Sequence, residues 1–206
     1  SGQSGDFTSV REYRPGDPLR HIHWKSWART GKAIVKEYED VFFPRYGLVL
    51  DTFAPAEEAD MFEEAVSVAA SFAASIDTRE TLLDLMFIRD EAYVFSAGRG
   101  EERIDSMLEV LAGVNCEPVQ DFEALQKLVL RYRDDLTACI CIFTGWCEQR
   151  RDTIVNLQRA GIDLKIFSIC RDHEEVQALH EMHPSPVPVL WLRTDHVEED
   201  LHRNIP

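Results

Sequence analysis

The sequence is short of positive charge. Its 206 residues hold 22 Lys and Arg against 37 Asp and Glu, a formal charge of −15. That balance argues against non-specific nucleic-acid binding, which depends on neutralising phosphates. It argues equally against adsorption to an anionic membrane face. Cysteines number only five, an odd and scattered set that builds no disulfide framework and suits a reducing compartment. No apolar run approaches the roughly 18 residues of a membrane span, and no signal-like segment opens the chain. The phosphate-cradling glycine loop is missing as well, because the first apolar run exits as DTFAPAEE, without glycine or lysine. No serine has the G-x-S-x-G context of a nucleophile elbow, and both H-E-x-x-H and C-x-x-C are absent. At 45% hydrophobic residues the chain still has the means to bury a core.

The charge that is present is unevenly placed. Residues 1–40 carry seven basic and six acidic groups, whereas residues 41–206 carry 15 basic and 31 acidic ones. The first stretch also holds Trp24 and Trp27, two of the four tryptophans. It reads as a separate unit laid against an acidic domain. Within it SGQSG is expected to fray, PGDP (15–18) to form a rigid turn, and residues 23–30 to make a short helix. Residues 31–43 are expected to run extended.

From Tyr46 the pattern is regular. Strands are expected at 47–51, 81–88, 91–96, 137–143, 163–169 and 186–192. Helices are expected at 56–76, 101–112, 121–134 and 148–160, with Pro55 in the first helical turn. Asp172 and Glu175 have the spacing of a capping box. The polar end of the chain, 195–206, reads as a loose tail. Alternating strands and helices give a three-layer α/β domain with a mostly parallel central sheet, and the 81–96 hairpin adds one antiparallel edge strand. Such sheets act beyond the carboxyl ends of their strands, here at Asp51, at Thr144-Gly145-Trp146 and at Cys170-Arg171-Asp172.

Three readings of the ionisable residues stay open at this level. Asp51 either buttresses its own loop or ligates Mg²⁺ weakly beside Thr52. Cys139, Cys141, Cys147 and Cys170 either pack as small hydrophobes or converge on a soft metal. His21 and His23, with Asp17 nearby, either hold zinc or belong to a packed latch in which arginine forks clamp acids such as Glu12 and Asp17.

VREYRPGDPLRHIHWKSWARTGKAIVKEYED (10–40) resembles the signature of the bacterial and archaeal DUF58 family, R-x-Y-x-P-G-D-x-x-R-x-I-x-W-x-x-x-A-R-x-G-x-L-x-V-K-x-x-E. Arg11, Tyr13, Pro15, Gly16, Asp17, Arg20, Ile22, Trp24, Ala28, Arg29, Gly31, Val35, Lys36 and Glu39 match. The departures are His23, where the pattern usually has Asp, and Ala33, where it usually has Leu. The resemblance implies residues 1–45 as a signature segment packed on the main domain, residues 46–194 as a von Willebrand factor A-like domain, and 195–206 as the tail. The signature is expected to be structural, with Trp24 in a core.

Domains of this type often bind a divalent ion through D-x-S-x-S after the first strand, a Thr from a second loop and an Asp after the fourth strand. Here Asp51 matches the first Asp, but Phe53 and Pro55 stand where the two serines belong. No Asp follows strand 137–143, and no second-loop Thr is found around 115–121. The resemblance therefore implies a degenerate ion site with Asp51 as the one surviving ligand, no metal and no other cofactor. Recognition at this edge is expected to use Phe53, Trp146 and Asp51, with Glu57 and Glu58 turned outward.

The family further implies a protein partner, either a MoxR-type AAA+ ATPase or a client protein, in assembly or maturation of other proteins. Catalysis, nucleic acid and direct membrane insertion of this stretch are not expected. The chain opens on Ser1, so a longer protein with a membrane hairpin upstream, facing the cytoplasm, is expected. The alternatives are a divalent-metal-dependent ligand-binding domain using Asp51, and a hydrolase whose only candidates are Asp51, Asp17 and the two histidines.

Overall fold

The computed structural model describes residues 6–39, 43–54, 59–76, 81–97, 101–117 and 119–204. They form two compact units, divided between Phe43 and Pro44.

The first unit is a two-stranded antiparallel ribbon, β1 (Asp6–Glu12) and β2 (Ile34–Glu39), with a register shift between Phe7 and Ser9. Helix α1 (Trp24–Thr30) lies between them in sequence and stops at Gly31. A clamp organises the turn: Arg11 donates two hydrogen bonds to the Asp17 carboxylate at 2.7 and 2.8 Å and a third to Glu37 at 2.7 Å. Arg11 and the backbone N–H of Arg14 together hold the Asp17 carboxyl down at about 2. This is the expected arginine fork. Glu12 instead pairs with Lys32 at 2.7 Å.

Trp24 corrects an expectation. Its ring is 62% exposed and stacks on Trp27, with centroids 5.2 Å apart. Among the described residues of this unit the buried apolar ones are Ile22 and Val35, where Ile22 bridges to β2. A seven-residue helix beside so small a ribbon leaves no interior deep enough for an indole.

The second unit runs β3 (Arg45–Leu50), α2 (Ala59–Ser75), β4 (Leu82–Ile88), β5 (Ala92–Ala97), α3 (Glu101–Ala112), α4 (Phe122–Tyr132), β6 (Ala138–Thr144), α5 (Glu148–Arg159), β7 (Leu164–Cys170), α6 (His173–Met182), β8 (Val189–Arg193) and α7 (Val197–Asn204). The sheet order is β5-β4-β3-β6-β7-β8, and every pairing is parallel except β4 with β5. Strand alternation builds two cores. Leu48 and Leu50 join Leu85, Phe87, Ile142 and Phe167 under α2, α3 and α7. Val49 faces the other way with Met86, Cys141, Phe143 and Ile166 against α4 and α5. Gly47 suits a close approach, since a Cβ there would meet Cys139 Sγ at 3.0 Å and push that side chain aside. The α/β architecture with one antiparallel edge is therefore as the sequence implied. Pro55, Glu57 and Glu58 lie outside the described residues. Among the described residues no helix is long and apolar enough to cross a membrane.

The end of the chain differs from its expectation. Residues read as a loose tail form α7, whose Val197 and Asp200 are buried. Asp200 accepts the Arg193 backbone N–H at 3.0 Å and two guanidinium bonds at 2.9 and 2.7 Å. Those Arg193 bonds lower the Asp200 carboxyl to about 2. A carboxyl depressed by folding stabilises the fold fully above its ordinary value near 4, and that contribution disappears as pH falls toward 2. Acid titration followed by hydrogen exchange is therefore expected to release α7 in that window, and D200N is expected to remove this step.

Candidate functional site

The connections leave β3 and β6 in opposite directions: β3 leads through α2 to β4, and β6 leads through α5 to β7. The adjacent carboxyl ends of β3 and β6 are thus the place where an open α/β sheet forms its crevice. Asp51 follows one strand and Thr144 ends the other, and the Asp51 N–H donates to Ile142 O across the pair at 2.9 Å.

Asp51 is completely buried. Its Oδ1 accepts the backbone N–H of Phe53 at 2.9 Å, a local turn that fixes the exit of β3. Its Oδ2 accepts Nε of Arg150 at 2.7 Å, the Thr144 hydroxyl at 3.2 Å and the Thr144 N–H at 3.3 Å. Arg150 was not anticipated. It stands in the first turn of α5, 5% exposed, and spends its remaining donors inside. Nη2 reaches Phe53 O at 2.9 Å and Thr144 Oγ1 at 3.1 Å, while Nη1 points to Cys147 Sγ at 3.5 Å. The guanidinium also lies 5.2 Å from the centre of the Phe122 ring. Burial alone works against its charge, but Asp51 and Cys147 outweigh that and keep Arg150 above the ordinary arginine range. Three oxygens from two strand exits, Asp51 Oδ2, Thr144 Oγ1 and Phe53 O, thus converge on one buried cation.

Gly145 permits the next turn with φ of 78°, a left-handed value that disfavours other residues. It lets Trp146 fold inward, where Nε1 donates to His183 O at 2.8 Å and the ring meets Trp191 edge-on at 5.4 Å. Phe53 packs edge-on against Phe122 at 4.9 Å. The expectation that Phe53, Trp146 and Asp51 contact a partner is corrected here. All three are at most 4% exposed, because the two loops turn down onto the core, and buried side chains have no surface to offer.

The other candidates separate. Cys139 and Cys141 sit in the core facing α4 and α5, where burial pushes the Cys139 thiol up to about 12 and that of Cys141 well above its usual value. Cys170 lies at the end of β7 and is also raised to about 12, by burial and then by Glu175. Asp17 belongs to the Arg11 clamp, and His23 Nδ1 is 2.6 Å from Ser26 Oγ. Among the described residues no three His, Cys, Asp or Glu side chains gather into a metal-binding group. Arg20 Nε donates to His21 Nε2 at 3.3 Å, Arg29 lies on α1 and Lys36 on β2, and Tyr13 joins the ribbon through its N–H to Ala33 O at 2.9 Å.

A doubly covered, mostly parallel sheet with one antiparallel edge and its crevice at the exits of β3 and β6 is a doubly wound α/β fold, and its likeness to solved structures places it among folds of the von Willebrand factor A type. Two solved structures share the fold. One is a von Willebrand factor type A protein from Catenulispora acidiphila (TM-score 0.51, 12% identity, 82% of this chain and 43% of that one). The other is an aerotolerance-related membrane protein from Bacteroides fragilis (TM-score 0.52, 11% identity, 78% of this chain and 96% of that one). Residues 9–147 match the family described as "Protein of unknown function DUF58", and the chain belongs to that family. It is 32% identical over 133 residues to the uncharacterized protein YeaD of Bacillus subtilis, covering 62% of this chain. The chain spans about a third of the length of that curated relative, 32%.

Proposed function

We propose that this chain is a non-catalytic protein–protein interaction module that works without a bound ion, because Arg150 supplies the positive charge at the crevice. The observation that carries this reading is the Asp51–Arg150–Thr144 cluster. A divalent ion does not fit the donor set: Asp51 Oδ2 already accepts three hydrogen bonds, and a dication beside a buried guanidinium would meet its full repulsion. Phe53 and Pro55 remove the hydroxyls that would complete an oxygen shell. These residues support the degenerate-site reading and disfavour a metal-dependent ligand-binding domain at Asp51.

Catalysis is disfavoured on separate grounds. Of the hydrolase candidates, Asp51 is completely buried and bound to Arg150, Asp17 is held by the Arg11 fork, and His23 Nδ1 lies against Ser26 Oγ, so the described geometry brings no two of them together. The partner we propose is a MoxR-type AAA+ ATPase or its client, met at the cytoplasmic face of a membrane, with assembly or maturation of other proteins as the outcome. Resemblance to the family is what supports the partner.

The test is binding of the purified MoxR-type ATPase encoded nearest the gene, by surface plasmon resonance in excess EDTA and then in excess Mg²⁺. Equal affinity in both is expected. Binding that needs Mg²⁺ on this chain, abolished by D51A, would reject ion-independent recognition, and absence of any binding would reject the ATPase as the partner.

A further inference from the structure

The first unit carries a surface that its own small core does not use. Between Pro18 and Lys36 the chain has five basic residues, Arg20, Lys25, Arg29, Lys32 and Lys36, and no acidic one. Lys32 is paired with Glu12. Lys25 and Arg29 are four residues apart on α1, both exposed, and have no acidic partner among the described residues. Beside them Trp24 is 62% exposed, stacked on Trp27, and Leu19 in the preceding turn is 66% exposed. An exposed indole stacked on a half-buried one, an exposed leucine and two exposed cations in one short stretch form an unusual surface on a chain this acidic.

An indole has an apolar body and one polar N–H, and it partitions to the headgroup level of a bilayer. Lysine and arginine lay their stems along apolar surface while their charges reach outward to phosphate. Anionic lipid attracts basic residues near the membrane, and that attraction fades within a Debye length of about 8 Å at physiological salt. Charge therefore has to be judged locally. The acidic surplus of the chain belongs to residues 41–206 and leaves the 18–36 segment purely basic.

From this we infer that α1 and the turn before it dock on an anionic bilayer surface. Trp24 and Leu19 enter the headgroup boundary, and Arg20, Lys25 and Arg29 meet lipid phosphates. A protein partner with tryptophan hot spots usually grips them in desolvated pockets. A single exposed helical turn with its cations alongside suits a bilayer, which needs no complementary pocket. The inference is independent of how the Asp51 crevice works.

The test is co-sedimentation of the whole chain with vesicles of phosphatidylcholine, with and without about one third phosphatidylserine, together with tryptophan emission. Binding to the phosphatidylserine vesicles alone is expected, with a blue shift and loss in high salt. K25E/R29E is expected to weaken binding by at least about thirtyfold, and Trp24→Ser to weaken it about tenfold and remove most of the blue shift. Both variants change exposed residues, so melting curves should match the wild type. Equal binding to both vesicle types, no binding to either, or binding unchanged in K25E/R29E would overturn the inference. Silent vesicles alongside wild-type binding to poly-glutamate, lost in K25E/R29E, would also overturn it, and would assign the surface to an acidic protein.

Discussion

Replacing Arg150 by Ala is expected to cost about 3–5 kcal/mol, the loss seen when one partner of a buried ion pair is removed. The cause is the group left behind. Asp51 is completely buried, so without Arg150 its charge faces only the Thr144 and Phe53 bonds, and Phe53 O loses a donor too. For a domain of this size that loss corresponds to a fall in melting temperature of about 10 °C. Urea unfolding measures it. Asp51→Leu with Arg150→Met is expected to be more stable than R150A, because removing both charges also removes the desolvation cost. An R150A protein within about 1 kcal/mol of wild type would mean that Asp51 is satisfied by its neutral bonds alone.

Trp146→Ala is expected to be comparably damaging, about 3–5 kcal/mol. The ring is 4% exposed, touches Phe143 and Trp191 edge-on, and ties the β6 exit to His183 O. Its loss leaves a cavity between the β6 and α6 ends and an unpaired carbonyl. Urea unfolding of W146A beside wild type measures the cost, and near-ultraviolet circular dichroism follows the lost ring packing. A variant of unchanged stability would mean that Trp146 is at the surface, as the sequence alone suggests for a residue in a strand-exit loop.

The sheet was legible because its signal is repetitive. Apolar runs such as GLVLD and TACICIF can only be buried on both faces, and the helical stripes between them set the alternation. Asp51 was legible from its place at a strand end. Arg150 was not, since EQRRD reads as solvated helix. Its signal was available in the spacing: Arg150, Thr153, Ile154 and Leu157 are the buried residues of α5, one stripe at helical period, and a charged residue on such a stripe needs an internal partner. Arg151 carries the same charge one position away and lies off that stripe.

Phe53 and Trp146 were misplaced for the reason that Trp24 was. Sequence position says which loop a ring sits on, not whether that loop turns toward a core. Phe53 and Trp146 have a core beneath them, whereas the first unit buries just Ile22 and Val35 among its described apolar residues. The last helix was hidden because Val197 and Leu201 supply just one apolar pair in a charged segment, and its anchor is the Asp200–Arg193 pairing, which has no periodic signature.

The central claim is that the guanidinium of Arg150 is the resident cation at Asp51. Calorimetric titration of Mn²⁺ into wild type and D51A tests it most directly. The account predicts superimposable titrations with no saturable site that depends on Asp51. One-site Mn²⁺ binding in the wild type, lost in D51A, would contradict it.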